Sequence, residues 1–140
     1  MNRIDALRKM RELVDSPEKW CKGMFAQDAN GQKVQLNQPE AVCFCVFGAF
    51  RRAFDDTPLL NKSDAFCESL YSIKKALAKL NNAYPEQTYQ YELSAWNDFQ
   101  STTHSDVLKM IDTAIEIAIE EEKKRKKDAA TQQDSEDFEP

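Results

Sequence analysis

The chain has 140 residues, of which 41% are hydrophobic and 31% are charged, and its formal net charge is −5. This length fits one domain with at most a short tail, because single domains typically contain about 100–150 residues. Three glycines and five prolines are too few for the many turns of an all-β fold. The acidic balance argues against general nucleic-acid binding, which depends on a basic surface.

No segment has the character of a secretion signal or of a membrane span. The N-terminus lacks the apolar core of a signal peptide. The best apolar run, residues 41–50, is much shorter than the ~20 residues of a spanning helix. Four cysteines without a signal are expected to be reduced thiols. We therefore expect a soluble, cytoplasmic protein with no membrane partner.

The first two predicted elements are a helix and a hairpin. Apolar residues recur every three or four positions over residues 2–14, which predicts a short amphipathic helix. A β-hairpin is predicted at about 24–36, because Asn30-Gly31 between two apolar runs is a strong hairpin signal. An isolated two-stranded ribbon is marginally stable, so this hairpin must lie on the helices.

The next predicted element is the central helix of the core. Residues 39–54 are apolar on nearly every face, as central helices are. Asn37 is the expected N-cap, with Glu40 three residues later. Gly48 inside the helix costs about 1 kcal/mol relative to alanine, so we expect another backbone to pack closely against it.

Two further helices complete the predicted fold. A 4-3-4-3 spacing of apolar residues predicts a helix ending near residue 80, whose stripe is Phe66, Leu70, Ile73, Leu77 and Leu80. Residues 83–101 form a long aromatic and polar connection, which suggests a function or a short helix inside it. Thr103 and Asp106 cap the final helix. Its predicted buried stripe is Val107, Ile111, Ala114 or Ile115, and Ala118.

These patterns predict a mainly α (α+β) fold, with four or five helices around a central apolar helix and one β-hairpin. We expect residues 1–122 to form a single globular domain and residues 123–140 to form a charged, disordered tail. The tail begins with the basic run Lys123, Lys124, Arg125, Lys126 and Lys127. This run is the one candidate for binding nucleic acid or acidic lipid, but a solvated helix end flanked by acids explains it more simply.

A cysteine-nucleophile site would combine Cys45 with His104 and with Asp98 or Asn97, since that chemistry needs a thiolate, a base and an orienting group. The predicted helix places Cys45 in its middle, where burial raises the pKa of a thiol and makes it inert. We therefore predict a structural cysteine and no catalytic residue.

Metal binding has little support in the sequence. Cys43 and Cys45 within one helix would point about 200° apart, given 3.6 residues per turn. Adding Cys67 and His104 does not produce a usual zinc-ligand spacing. We predict no metal site and no cofactor.

The strongest candidate site is Trp96-Asn97-Asp98, where a large aromatic lies beside an amide and a carboxylate in a connection. In one interpretation it is a structural corner, with Asn97 and Asp98 bonded to turn backbone or helix ends. In the other, it lines a ligand-binding or partner-binding pocket with Trp20, Asp28 and the predicted hairpin. We favour the corner and keep the pocket as the alternative.

Four motifs in order resemble those of a family of small bacterial and phage proteins of unknown function. Its pattern is W-x-x-G, C-x-x-G-A, W-N-D and T-x-x-[DE]-V, and the similarity covers about residues 17–118. The matching segments are Trp20-Cys21-Lys22-Gly23, Cys45-Val46-Phe47-Gly48-Ala49, Trp96-Asn97-Asp98 and Thr103-His104-Ser105-Asp106-Val107. The resemblance implies a phage or mobile-element setting, in which small acidic proteins act by binding a host protein. His104 falls on a variable position of the pattern, which argues further against a catalytic histidine.

These observations predict a non-enzymatic protein that binds a host protein or protein complex, as an accessory protein or an inhibitor of host defence. The alternative is a small-molecule or nucleotide-binding pocket, or a weak hydrolase, that uses Asn97 and Asp98.

Overall fold

A computed structural model describes residues 3–56, 62–80 and 90–136, without the side chains of 90–92 and 131–136. Within these ranges five α-helices and a two-stranded antiparallel sheet are present, so the mainly α (α+β) class is confirmed. The elements are α1 (Arg3–Leu13), a 3-10 turn (Pro17–Lys19), β1 (Ala26–Gln27), β2 (Cys43–Phe44), α2 (Val46–Asp56), α3 (Lys62–Leu80), α4 (Gln90–Asp98) and α5 (His104–Glu136).

The core lies where α1, α2, α3 and α5 meet, and α4 packs against α2. Its largest fully buried side chains include Leu7, Met10, Phe50, Ile73, Leu77, Leu93, Met110 and Ile111. The buried stripe predicted for α5 is confirmed. The stripe predicted for α3 is displaced, because Ser72 and Ala76 are fully buried while Leu80 is 38% exposed. Small residues allow α3 to approach its neighbours closely, so the apolar stripe alone does not define its buried face.

The sheet differs from the predicted hairpin in its partner strand. Ala26 pairs with Phe44 and Gln27 pairs with Cys43, in antiparallel register. The predicted return strand meets β1 only through an isolated bridge between Gln27 and Lys33. Cys43 and Phe44 are buried, so their backbone groups need partners within the protein. Residues near Lys33 lie at the surface, where water can bind the backbone.

The predicted central helix is correct only in its second half. Residues 39–45 are not helical, and α2 begins at Val46. The carbonyl of Cys45 accepts a hydrogen bond from the amide of Ala49 (2.8 Å), so Cys45 is the N-cap and the prediction of Asn37 is wrong. A short apolar run fits a buried strand as well as a buried helix, which is why periodicity did not separate the two.

The last helix begins as predicted and extends further than expected. The amide of Asp106 donates to Thr103 Oγ1 (3.2 Å), and the amide of Thr103 donates to Asp106 Oδ2 (2.9 Å). This reciprocal pair is a capping box with aspartate in the acidic position. Beyond residue 122, α5 continues through most of the predicted tail to Glu136, and residues 137–140 lie outside the described part of the chain. The division of the chain at residue 122 stays a prediction. None of the described helices is long and apolar enough to cross a membrane.

A buried arginine anchors the second half of α5 to the rest of the fold. The side chain of Arg3 is 4% exposed and pairs with Glu121 (3.1 Å) and Glu122 (3.4 Å). It also donates to the hydroxyl of Ser72 on α3 (3.0 Å). Lys75 binds the second carboxylate oxygen of Glu121 (2.6 Å). A buried charge needs such partners, so this network joins α1, α3 and α5.

Gly48 marks the close approach of two backbones, as its position in the apolar run predicted. A methyl group at Gly48 would collide with the carbonyl oxygen of Phe25 and would lie 3.1 Å from Cδ2 of Leu36. The same Phe25 carbonyl accepts a hydrogen bond from the amide of Cys45 (3.3 Å). The backbone of Phe25, just before β1, is therefore in direct contact with the first turn of α2.

We expect Gly48→Ala to lower the free energy of unfolding by about 1–3 kcal/mol, because the added methyl must displace backbone. This loss outweighs the gain of about 1 kcal/mol in helix propensity. Urea denaturation followed by circular dichroism measures the change. Arg51→Ala, on the exposed side of the same helix, should change stability by at most about 0.5 kcal/mol. A Gly48→Ala variant as stable as the natural chain would contradict the close approach.

Candidate functional site

The side-chain amide of Asn97 joins separate segments of the chain. Asn97 is fully buried in the last turn of α4. Its Oδ1 accepts hydrogen bonds from the indole of Trp20 (2.6 Å) and from the amide of Val46 (2.9 Å). Its Nδ2 donates to the carbonyl of Cys21 (3.0 Å) and to Oδ1 of Asp98 (2.9 Å). Because an amide offers two donors and about two acceptor sites, the hydrogen-bonding capacity of Asn97 is fully used.

This arrangement, which we call the Asn97 joint, fixes the start of α2. Val46 is the first residue of α2, and the first amides of a helix have no partner within it. Asn97 therefore caps α2 from another helix. Next to it, the amide of Gly23 donates to Asp98 Oδ1 (2.9 Å), and Lys22 Nζ donates to the carbonyl of Phe99 (2.6 Å). Each residue from 20 to 23 therefore forms a hydrogen bond with the C-terminal end of α4 or with the residue that follows it.

The structure brings most of the predicted site residues to this joint. Trp20, Asn97 and Asp98 are connected by hydrogen bonds, and Trp96 lies beside them on α4 with 5% of its surface exposed. Asp28 is not part of the joint, because its Oδ1 accepts hydrogen bonds from the amides of Asn30 and Gln32 in its own turn. Asp28 therefore shapes the turn after β1.

His104 has a structural environment rather than that of a catalytic base. Its Nε2 lies 2.7 Å from the carbonyl oxygen of Val14, and its ring packs against Trp20 at a centroid distance of 6.1 Å. The thiol of Cys45 instead accepts from the amide of Gly48 (3.2 Å). The side chains of Cys45 and His104 thus have different hydrogen-bond partners.

The position predicted for Cys45 is wrong, although burial still controls its chemistry. Cys45 directly precedes α2, at a helix N-terminus, which usually lowers the pKa of a thiol. Burial raises the pKa of Cys45 to about 11, and hydrogen bonds from the amides of Gly48 and Phe47 offset only part of that increase. Desolvation thus exceeds the helix effect, and the thiol is protonated at neutral pH.

Three buried thiols lie near one another because Cys43 belongs to a strand and not to a helix. Cys43 lies in β2 and Cys45 directly precedes α2, so the helical geometry from which their divergence was predicted is wrong. Burial raises the pKa of Cys21 and of Cys43, and the neighbouring Cys43 thiol raises that of Cys21 further. No group of three or more metal-ligating side chains suited to an ion occurs among the described residues. All four cysteines are free thiols.

The surface beside the joint has a half-exposed phenylalanine between two concave regions. Phe25 is 47% exposed, and the edge of its ring packs on Phe47 at a centroid distance of 5.6 Å. A small groove of about 200 Å³ lies between Phe25 and Asp98, with Cys45 among its lining residues. A large groove of about 600 Å³ lies between residues 33–38 and the side of α2 that carries Arg51. We call Phe25 and these two grooves the Phe25 face.

The walls of the large groove are fixed by Arg52. Its guanidinium donates to the carbonyl of Gln38 (3.1 Å) and of Leu36, and it forms an ion pair with Asp56 (3.1 Å). Residues 36–38 are therefore tied to α2. The sequence interpretation did not identify this face. Phe25 lies in the predicted hairpin, where neighbouring side chains point to opposite sides. The sequence does not show which side is buried; in the structure Ala26 is buried and Phe25 is half-exposed.

We expect Asn97→Ala to lower the free energy of unfolding by at least about 3 kcal/mol, because it leaves the Val46 amide, the Cys21 carbonyl and the Trp20 indole without their partner. Asp98→Ala is the matched variant. It removes the bonds that Asp98 Oδ1 accepts from the Gly23 amide and from Asn97 Nδ2. Because Asp98 is exposed, water can replace the carboxylate, and the change should cost about 1 kcal/mol. Urea denaturation of both variants measures the difference. If the free energy of unfolding of Asn97→Ala were within about 1 kcal/mol of that of the natural chain, the Asn97 bonds would not be the stabilising contacts that the geometry indicates.

Alkylation should distinguish the cysteines. With a pKa of about 11, about one Cys45 thiol in ten thousand is ionised at pH 7. We expect iodoacetamide to modify the exposed Cys67 first, and the rate at Cys45 to rise about tenfold per pH unit between about pH 7 and 10. Mass spectrometry of tryptic peptides measures both rates. Modification of Cys45 at pH 7 as fast as that of Cys67 would show that its thiol is activated.

Comparison with known proteins identifies the family of this chain. No curated protein and no solved structure matches it. A family model described as a family of unknown function, DUF6197, matches residues 1–117, which include all the motifs as well as the Asn97 joint. The match ends within α5, before the acidic and basic runs that begin at Glu120. The chain therefore belongs to the DUF6197 family of unknown function.

Proposed function

We propose that this protein acts without catalysis, by binding another protein through the Phe25 face. The observation that carries the proposal is Phe25 itself, which is half-exposed between two grooves whose walls are held by backbone contacts and by Arg52. Exposed aromatic residues in preformed, partly apolar surroundings are the usual anchors of protein interfaces. A rigid surface loses little conformational entropy on binding.

The alternative, a small-molecule site or weak hydrolase using Asn97 and Asp98, has less support. All hydrogen-bonding groups of Asn97 are used within the fold, and Oδ1 of Asp98 already accepts two hydrogen bonds. The small groove, at about 200 Å³, is below the roughly 300–1,000 Å³ of typical ligand pockets. The raised pKa of Cys45 argues against a nucleophile there.

An accessory or inhibitory role on a host complex, in a phage or mobile-element setting, is the form of protein binding that we propose. We place this role in the cytoplasm, where free thiols such as the four of this chain persist. The basic run Lys123–Lys127 plays no part in this proposal.

An affinity capture from lysate of the source cells tests the function. The natural chain should retain a stoichiometric partner at micromolar concentration, and Phe25→Ser should reduce its recovery at least about tenfold. Phe99→Ser is the matched control, because Phe99 is 59% exposed and lines neither groove. Quantitative mass spectrometry compares the three samples.

Two results would contradict the proposal. One is the absence of any stoichiometric partner of the natural chain. The other is a partner whose recovery is the same with Phe25→Ser as with Phe99→Ser, which would place the interface elsewhere.

A further inference from the structure

The charges of the large groove identify the kind of partner that fits it. Lys33 and Arg51 both line this groove, and Lys33 also lines the small groove on the other side of Phe25. Both side chains are exposed, and neither forms an ion pair with any described residue. The neighbouring Arg52, in contrast, is paired with Asp56 and bonded to the groove wall. Two cations without ion-pair partners in the described part of the chain thus lie at a partly apolar groove. The net charge of the protein is −5.

The groove also contains an apolar surface for a partner side chain. Phe25, Val34 and Leu36 are all partly exposed lining residues. Leu36 also packs against the core, and its carbonyl accepts a hydrogen bond from Arg52. A ligand that carried only phosphate groups would leave this apolar surface in water. A peptide with acidic and apolar side chains would satisfy both features.

We infer that the large groove binds an acidic peptide segment of a partner protein, with a bulky apolar side chain against Phe25 and carboxylates near Lys33 and Arg51. This inference rests on the proposed binding function and adds the chemistry of the partner. Asp55 also lines the groove and opposes such a ligand. Asp98 in the small groove has its Oδ1 bonded to Gly23 and Asn97. Asp55 is therefore the groove charge whose removal should strengthen binding.

Selection from a display library of random short peptides tests the inference. The natural chain should enrich peptides in which aspartate or glutamate flanks an aromatic or large aliphatic residue. Binding of a synthetic enriched peptide should weaken with increasing salt, as exposed charge pairs do. Fluorescence anisotropy of the labelled peptide measures the dissociation constant.

Charge variants separate the electrostatic contribution from the apolar one. Lys33→Glu and Arg51→Glu should each weaken peptide binding about tenfold, and Asp55→Asn should strengthen it about twofold or more. Lys109→Glu on the exposed side of α5 makes the same change in net charge away from the groove and should have no effect. Circular dichroism melting confirms that each variant is folded.

The outcomes distinguish this inference from the proposed function. If peptide binding is lost with Phe25→Ser but is unchanged with Lys33→Glu and with Arg51→Glu, the inference of an acidic partner is wrong. The proposed binding function would still stand. Enrichment of basic peptides, or no enrichment, would also overturn it. A labelled single-stranded oligonucleotide that bound with the same dependence on Lys33 and Arg51 would replace the peptide with nucleic acid. Binding that is indifferent to Phe25→Ser would contradict both proposals.

Discussion

The hydrogen bonds of the Asn97 amide are the interaction on which the rest of this structure depends. They connect the end of α4 to the Trp20–Cys21 segment and to the first amide of α2. Each of these partners is distant from Asn97 in sequence, so local structure cannot replace the bonds. Because the amide is fully buried, loss of its partners would leave polar groups without hydrogen bonds in the interior.

The joint also determines the surface that we propose to be functional. α2 is held at its start by Asn97 and by the backbone of Phe25, which Gly48 allows to approach closely. Arg52, on the second turn of the same helix, holds the wall of the large groove. The contacts that anchor α2 therefore also fix the shape of the Phe25 face. A surface that is formed before binding loses little conformational entropy when a partner binds.

The helices could be predicted from the sequence to a large extent, because their apolar periodicity and caps are local signals. Thr103 and Asp106 form their predicted capping box, and Gly48 has the predicted close neighbour. The pairing of β1 with β2, and hence the true start of α2 after Cys45, could not be predicted. That pairing depends on which segment is buried beside β1, and an apolar run of this length fits either a strand or a helix. The sequence indicates that the tripeptide containing Asn97 is unusual and that Trp20 lies near it. The bonds of Asn97 to the Val46 amide and the Cys21 carbonyl have no signal in the sequence, because they depend on how distant segments pack.

The most direct test of the central role of Asn97 is hydrogen exchange, measured by NMR, at the two groups that donate to its Oδ1, the Trp20 indole and the Val46 amide. If the joint is part of the cooperative core, the Trp20 indole N–H and the Val46 amide should exchange only through global unfolding. Their protection should then equal that of the Ile111 amide in the middle of α5. Much faster exchange of the Trp20 and Val46 protons, with Ile111 still protected, would contradict the account, because the joint would then open independently of the fold.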